Sequence, residues 1–327
     1  MKAARISGPK QFEILEVEEP QLRDGQCLIK LERWSVCGSD IRHSYGPVLP
    51  EECYPLGIGS SCHECAGIVV ESRSDHFKEG QRVIALPSVD GTGGMVEYIA
   101  TESNRIVALP DEGDLSEWVT CQPAGTAIHG CQKVGTIIGK RVLVIGQGSI
   151  GLSFTAICAR IGAKQVIAAD PLDYRLEYSS RFGATDTVNP DRVDLYEAVK
   201  EITGGLMPDI TVEASGYPDG LNSAFRIVAD SGIVLMFGMQ SEHQPHNEFT
   251  PVKTSYLHQN TPVILPIAAS RGVDPISHIE TMVALKSRGW WNPGEMVTHR
   301  LKFDDVKMAH DMYENRADNI IKVVMSP

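Results

Sequence analysis

The sequence lacks any apolar run that approaches the roughly 20 residues of a membrane-spanning helix. Residues 1–6 form a strand-like start without the long apolar stretch of a secretory signal. The chain also has no internal repeat and no low-complexity tract. We therefore expect a cytoplasmic protein with no membrane partner.

Basic residues and cysteines are both scarce. The 30 Lys and Arg residues against 42 Asp and Glu residues leave a formal net charge of −12. This negative field argues against a nucleic-acid partner. The 8 cysteines are too few in 327 residues for a disulfide framework, so we expect reduced thiols.

The order of the predicted elements indicates two domains of an α/β protein. Up to about residue 109, short strands are predicted at 12–17, 27–34, 67–71, 82–86 and 96–100, which is typical of antiparallel β structure. From about residue 115, strands at 141–145, 165–169, 210–213 and 233–237 alternate with helices at 149–161, 174–182 and 221–228. This alternation predicts a parallel, doubly wound sheet.

The residues after 297 have β character again, with strands at 297–303 and 320–325 around a helix at 304–313. We expect them to rejoin the first domain. The predicted boundaries are 1–118, completed by 290–327, for the β-rich domain and 119–289 for the doubly wound domain.

A glycine-rich turn follows the strand at 141–145 and opens a helix: Gly146-Gln147-Gly148-Ser149-Ile150-Gly151. Gly146 permits a tight turn, Gly148 lets the backbone approach a pyrophosphate, and Gly151 lets the helix pack closely on the sheet. The first N–H groups of the helix would face the phosphates. Its place inside a βαβ unit predicts a Rossmann dinucleotide site.

Asp170 ends the second strand of this unit, 19 residues after Gly151. A carboxylate at this spacing would hold a ribose 2′-hydroxyl and repel a 2′-phosphate, which favours NAD over NADP. An Asp that only caps the next helix is the alternative. Arg175 could stack near the adenine or bind a phosphate.

Cys37 follows the strand that ends near Trp34, and the pair His63-Glu64 follows a glycine-rich loop. A thiolate, an imidazole and a carboxylate brought together would suit zinc. Each of these residues alone is commonly a packing or surface feature. Their joint occurrence upstream of a dinucleotide fold favours a metal site.

In order and in motif, the chain resembles the zinc-dependent branch of the medium-chain dehydrogenase/reductase superfamily. The matching pieces are Cys37-Gly38-Ser39-Asp40, His63-Glu64-Cys65-Ala66-Gly67-Ile68-Val69, Gly80-Gln81-Arg82-Val83, Glu97-Tyr98, Ile128-His129, the glycine turn, Glu213-Ala214-Ser215-Gly216, Thr298-His299-Arg300 and Lys322-Val323-Val324. The resemblance implies a GroES-like catalytic domain joined to a Rossmann domain.

The resemblance also implies residue roles. Cys37 and His63 would bind zinc, Ser39 would relay the alcohol proton, and Asp40 would hydrogen-bond the ligand histidine. Glu64 would bind the metal or stand just behind it, with Lys322 near its carboxylate. Ser215 and Gly216 join the cofactor-binding candidates Gly146, Gly148, Ser149, Ile150, Gly151, Asp170 and Arg175.

The remaining zinc ligand is usually a cysteine in alcohol dehydrogenases and a glutamate before proline in polyol dehydrogenases. This chain has Cys121-Gln122-Pro123. Gln122 aligns with that glutamate and is the expected ligand, while Cys121 is the rival.

Three features depart from the relatives. Cys62 precedes His63 where relatives have glycine, and with Cys65 it forms a Cys-X-X-Cys that we interpret as packing rather than as a redox or zinc pair. No cysteine lies between Cys65 and Cys121, so we expect one catalytic zinc and no structural zinc. Relatives often have a relay histidine five residues after the first ligand; here that position is Arg42, so either His43 substitutes or Ser39 and the ribose pass the proton directly to water.

These observations predict an NAD- and zinc-dependent dehydrogenase of secondary alcohols, with a polyol, sugar or cyclitol as substrate. As in the relatives, we expect a homodimer or homotetramer. Two alternatives are a zinc-free NAD(P)H-dependent reductase of the same superfamily and a non-catalytic cofactor-binding subunit.

Overall fold

The structure, a computed structural model, describes residues 1–46, 49–89, 91–238, 251–267 and 274–327. The chain divides into two compact units. The first contains Met1–Gly125 and Val273–Pro327, and the second contains Thr126–Gly272. Parts of the predicted second domain, residues 239–250 and 268–273, lie outside the described residues.

In chain order the strands are β1 (Lys2–Gly8), β2 (Gln11–Glu16), β3 (Gln26–Ser35), β4 (Glu64–Ser72), β5 (Arg82–Ala85), β6 (Tyr98–Glu102), β7 (Ile106–Ala108), β8 (Arg141–Ile145), β9 (Gln165–Ala169), β10 (Asp186–Val188), β11 (Ile210–Glu213), β12 (Ile233–Met236), β13 (Val263–Pro266), β14 (Val297–Lys302) and β15 (Lys322–Ser326). The α-helices are α1 (Gly38–Asp40), α2 (Leu115–Trp118), α3 (Cys121–Val134), α4 (Ser149–Arg160), α5 (Asp173–Phe182), α6 (Leu195–Ile202), α7 (Pro218–Ile227), α8 (Thr254–Asn260), α9 (Ser277–Ser287) and α10 (Val306–Asn315). A π-helical turn, Ile41–Tyr45, continues α1. In the described part of the chain, no helix is both long and apolar enough to cross a bilayer.

The first unit is built on a sheet of order β14-β15-β3-β4-β5-β7, with β6 also paired to β3. Antiparallel pairs dominate it, and the last two strands of the chain belong to it, with β15 beside β3. Its core is a cluster of buried apolar side chains that includes Ile29, Leu31 and Trp34 of β3. The ends of β3 and β4 carry the metal-site candidates.

The second unit contains a six-stranded parallel sheet of order β10-β9-β8-β11-β12-β13. β8 is apolar and almost wholly buried because helices cover both faces of such a sheet. Its neighbours are β9 on one side and β11 on the other, so the strand order reverses at the carboxyl end of β8. Ligands of doubly wound sheets bind at this point. The predicted fold class is confirmed.

The boundaries of the units differ from the predicted 118/119 and 289/290. Residues 119–125 and α9 belong to the first unit. The reason is close packing: a Cβ on Gly125 would lie 2.8 Å from the carbonyl oxygen of His278. Lys286 of α9 also donates to Asn292 at 2.7 Å and to Glu117 at 3.3 Å.

An aromatic cluster of Phe12, Tyr45 and His310 lies in the first unit. The ring of His310 is 4.7 Å from that of Phe12 and 5.1 Å from that of Tyr45. His310 is 0% exposed, its Nδ1 donates to the Val306 carbonyl at 2.8 Å, and its Nε2 has no partner among the described residues. Burial lowers the pKa of His310 more than the nearby Asp40 raises it, so the ring is neutral in the folded chain near pH 7.

This burial predicts a loss of stability in acid. The folded His310 takes up a proton at a lower pH than the unfolded chain, for which the pKa is 6.5. Its contribution is therefore present above that value and is lost as the pH falls towards the lower folded pKa. We expect His310→Phe, which keeps a ring but cannot titrate, to lose less Tm than wild type between about pH 7.5 and about pH 5.5. Parallel curves of Tm against pH would contradict this.

Candidate metal centre and dinucleotide site

Three metal-ligating side chains meet where β3 ends and β4 begins. Cys37 lies two residues after β3, and His63 and Glu64 lie at the start of β4, where Glu64 pairs with Ser35 of β3. One ligand atom of each residue lies within 4.8 Å of those of the other two. Ligands about 2.0–2.3 Å from a tetrahedral zinc lie roughly 3.3–3.8 Å apart, so a small adjustment would bring all three onto one ion.

The carboxylate of Asp40 connects two of these donors. Its Oδ2 accepts the backbone N–H of Cys37 at 2.9 Å, and its Oδ1 lies 3.3 Å from Nδ1 of His63. Asp40 is 2% exposed. A carboxylate on Nδ1 fixes the tautomer of an imidazole and leaves Nε2 for a metal. This is the arrangement expected from the predicted role of Asp40.

The groups around His63 raise its pKa. Burial acts to lower its pKa, but the carboxylate of Asp40 and the sulfur of Cys37 outweigh it, so the pKa lies well above the usual value. A metal ion would therefore have to displace a proton from this ring.

Glu64 forms a fully buried ion pair with Lys322 of β15. The Lys322 Nζ lies 2.8 Å and 2.6 Å from the two carboxylate oxygens and donates to the Val36 carbonyl at 2.9 Å. Both side chains are 0% exposed. Burial acts to lower the pKa of Lys322, but Glu64 raises it further, so the amine remains charged.

Ser39 and His43 were predicted to act in proton transfer. The Ser39 Oγ is buried and has no hydrogen-bond partner among the described residues. His43 is exposed and Arg42 is partly buried, both on the π-helical turn Ile41–Tyr45. A buried polar group without a partner needs an explanation, and a ligand bound next to Cys37 would supply one.

Cys121, the rival for the remaining ligand, is a buried thiol. Burial raises the pKa of its thiol to about 12, and the nearby Lys286 offsets this only in part. Among the described residues, Cys121 belongs to no group of three close donor atoms. Gln122 follows it on α3 and is 3% exposed, in the same compact unit as Cys37, His63 and Glu64. Its role as a ligand stays a prediction.

Cys62 and Cys65 flank the ligand pair as buried thiols. They are 2% and 0% exposed, and their sulfur atoms lie 3.6 Å apart in the core of the first unit. Burial and the neighbouring Cys65 raise the pKa of Cys62 well above its usual value. Such thiols are poor nucleophiles, which supports a packing role.

The glycine turn in the second unit has the geometry predicted for it. Gly146 has a φ of +88°, and a Cβ there would lie 2.7 Å from the backbone of Ser215. A Cβ on Gly151 would lie 1.7 Å from the Gly146 carbonyl oxygen, whereas one on Gly148 would meet nothing within 4 Å. Gly148 therefore leaves open space at the start of α4, beside Ser149 and Ile150, where a phosphate would bind.

Asp170 stands at the carboxyl end of β9 and is 3% exposed. Its two oxygens accept the N–H groups of Gln147, at 2.7 Å, and Leu172, at 2.9 Å. Arg175 lies 3.5 Å from the first of these oxygens. The carboxylate thus connects the glycine turn with the turn after β9.

Two buried polar residues were missed in the sequence. Gln147 bonds the Val144 carbonyl and accepts the hydroxyls of Thr155 and Ser179, both at 2.9 Å. Glu213 holds the turn that carries two predicted cofactor residues, since its Oε1 accepts the N–H of Ser215 and the N–H of Gly216, both at 2.8 Å. Gln147 occupies a variable position of the glycine motif, and Glu213 was noted only as part of a segment that matches the relatives, so neither was assigned a role.

Comparison with known proteins identifies the family of the chain. A family model described as "Alcohol dehydrogenase GroES-like domain" matches residues 23–111, and one described as "Zinc-binding dehydrogenase" matches residues 149–278. Together the matches cover more than half of the chain. The chain belongs to the zinc-type medium-chain alcohol and polyol dehydrogenase superfamily.

Individual relatives of this superfamily are distant. The chain is 28% identical to a sorbitol dehydrogenase of Bacillus subtilis, covering 75% of this chain and 76% of that protein. It is 26% identical to a (R,R)-butanediol dehydrogenase of the same organism, covering 94% of each. The crystal structure of L-idonate 5-dehydrogenase from Escherichia coli has the same fold, with a TM-score of 0.84 at 22% identity over 100% of this chain and 98% of that one.

The buried ion pair predicts a large effect of Lys322→Met on stability. Removal of the ammonium group leaves the Glu64 carboxylate buried without a counter-charge, which costs about 3–5 kcal/mol. We expect chemical denaturation of the metal-free chain to show this loss. Lys2→Met breaks an exposed pair with Asp304 and is the control, with an expected change below about 0.5 kcal/mol. Equal effects of the two variants would contradict the analysis.

The glycine turn predicts opposite outcomes for two alanine variants. Gly148→Ala meets no atom within 4 Å, so we expect wild-type Tm but weaker NAD binding, because the methyl group occupies the space of a phosphate. Gly151→Ala collides with the Gly146 carbonyl, so we expect both Tm and NAD binding to fall. Thermal unfolding and titration with NAD measure both effects. Full NAD affinity in Gly148→Ala would refute this placement of the phosphates.

Proposed function

We propose that this chain is a zinc-dependent dehydrogenase that transfers a hydride between NAD and a secondary alcohol of the polyol, sugar or cyclitol class. The observation that carries the proposal is the convergence of Cys37, His63 and Glu64 beside the carboxylate of Asp40. A thiolate, an imidazole nitrogen and a carboxylate oxygen are all ligand types that zinc binds in proteins.

Cys37, His63 and Gln122 would hold the ion, with Glu64 in contact with it or directly behind it. When bound, zinc supplies the positive charge that makes an alcohol hydroxyl acidic. Lys322 restrains Glu64 through two short contacts. The amide of Gln122 is neutral, so it would offset less of the ion's charge than a thiolate would.

Proton removal falls to Ser39. Its Oγ is buried without a partner among the described residues, so it can accept the alcohol proton and donate its own onward. Asp40 contributes by keeping His63 in one orientation. Arg42 cannot titrate near neutral pH, which leaves His43, exposed on the next turn, as the residue that would pass the proton to water.

NAD would bind on the second unit and supply the hydride acceptor. The open space at Gly148 and the N-terminus of α4 suit its pyrophosphate. Asp170 supports NAD over NADP because a carboxylate at the end of β9 repels a 2′-phosphate. Arg175 lies beside this carboxylate and neutralises part of its charge, so the preference is best measured directly.

The substrate class rests on two observations. The relatives include a sorbitol dehydrogenase and a butanediol dehydrogenase, both named for hydroxylated substrates. Gln122-Pro123 stands where polyol dehydrogenases have Glu-Pro. The test is a screen of the purified full chain with NAD and with NADP over polyols, aldoses, cyclitols and simple secondary alcohols, together with zinc analysis. A chain that contains no zinc and oxidises none of these alcohols would overturn the proposal.

The two cysteines near the site offer a matched pair of variants. We expect Cys37→Ser to lose zinc and more than about 100-fold in turnover while it keeps NAD affinity, because only the metal would be affected. Cys121→Ser should retain zinc and turnover, whereas Gln122→Leu should lose both. Metal analysis, NADH formation and NAD titration give the three readouts. Loss of zinc in Cys121→Ser, or unchanged turnover in Cys37→Ser, would refute the ligand assignment.

A further inference from the structure

The segment that carries Ser39 and Asp40 continues into an unusual helical turn. α1 runs directly into the π-helical turn Ile41–Tyr45, which is closed by the Gly46 N–H donating to the Ile41 carbonyl at 2.7 Å. π-Helical turns are rare and occur frequently at functional sites.

Tyr45, the last residue of the turn, is fixed to helix α10. It is 0% exposed, and its hydroxyl donates to Oδ1 of Asp311 at 2.5 Å. The hydroxyl is a permanent donor, because burial and Asp311 raise the pKa of Tyr45. The acceptor is ionised: burial acts to raise the pKa of Asp311, but its bonds to Lys307 and Tyr45 lower it further. Hydrogen bonds to a charged acceptor are roughly twice as strong as neutral ones.

α10 approaches the turn at a second point. A Cβ on Gly46 would lie 3.1 Å from Oε1 of Glu314, which pairs with Lys10 at 2.9 Å. The fit is close enough that the end of the turn lies against the helix surface.

His310 of the same helix also contacts Tyr45. Its buried ring lies 5.1 Å from the ring of Tyr45. Thus α10 packs against the end of the segment that begins at Ser39 and Asp40, through His310, Asp311 and Glu314.

We propose that Tyr45, through its hydrogen bond to Asp311 of α10, is a positioning residue that holds Ser39 and Asp40 in place for metal binding and proton transfer. The inference rests on the proposed function. It adds the contact between Tyr45 and Asp311, neither of which is a predicted metal ligand.

The effect would pass through Asp40. If the turn loosens, Asp40 can no longer hold the Cys37 N–H and the His63 ring at once, and His63 loses its fixed orientation. Loss of a residue that supports a ligand from behind typically lowers metal affinity by 10–100-fold, so we expect a change of about 10-fold for a contact one step further away. Ser39 lies in the same segment, so kcat should fall more than KM rises.

The experiment compares three variants of the full chain. Tyr45→Phe keeps the ring and removes only the hydroxyl. Asp311→Ala removes the acceptor at a helix position whose side chain is 37% exposed, where folding is little at risk. Lys307→Gln is the control, because Lys307 contacts the other oxygen of Asp311 and leaves the Tyr45 bond intact.

Zinc affinity is measured by competition with a chromophoric chelator, and the ligand geometry by the absorption spectrum of the cobalt(II)-substituted chain, at a temperature where every variant is folded. We expect Tyr45→Phe and Asp311→Ala to lose about 10-fold in zinc affinity and to share an altered cobalt spectrum. Lys307→Gln should stay within about twofold of wild type.

Wild-type zinc affinity and cobalt spectrum in Tyr45→Phe and Asp311→Ala would overturn this inference and leave the proposed function standing. An equal loss of zinc affinity in Lys307→Gln would also overturn it, because the loss would then come from any change on the surface of α10 and not from the Tyr45–Asp311 hydrogen bond. A wild-type chain that binds no zinc would instead overturn the proposed function, and this inference with it.

Discussion

The candidate active site depends on one carboxylate. Asp40 bonds the backbone of Cys37 with one oxygen and faces the Nδ1 of His63 with the other, so it fixes a sulfur donor from one strand end relative to a nitrogen donor from the next. Asp40 is 2% exposed and is therefore almost completely shielded from solvent. The contact of Asp40 with His63 sets the tautomer of the histidine. Ser39 precedes Asp40 in the short helix α1 and lies between the two donors in sequence. The ion pair with Lys322 fixes the carboxylate of Glu64, which is the oxygen donor of the same site.

Much of the metal site could be predicted from the sequence because its residues occur in short, chemically distinctive groups. Cys37, Asp40, His63 and Glu64 are found together as expected, since they lie at adjacent ends of the antiparallel strands β3 and β4. The choice between Cys121 and Gln122 could not be made from the sequence, because it depends on which way each neighbouring side chain points from a helix. Both residues are buried, and burial raises the pKa of the Cys121 thiol to about 12, so the assignment of Gln122 stays a prediction.

The fold was also largely predictable, because apolar runs and glycine turns mark the parallel strands of the second unit. The domain boundaries were less predictable. Helix α9 and residues 119–125 join the first unit through packing around Gly125 and the contacts of Lys286, and no local sequence pattern indicates these contacts. The same holds for Gln147, Glu213 and Tyr45. Each is a polar group whose partners are distant in sequence or sit in a turn, so its role appears only when the chain is folded.

The most direct test of the central claim is X-ray absorption at the zinc edge of the purified protein. The account predicts one zinc per chain with a single sulfur ligand at about 2.3 Å and the remaining ligands nitrogen or oxygen at about 2.0–2.2 Å. Two or more sulfur ligands would mean that Cys121, Cys62 or Cys65 binds the ion and that the ligand set described is wrong. A chain that binds no zinc would contradict the account entirely.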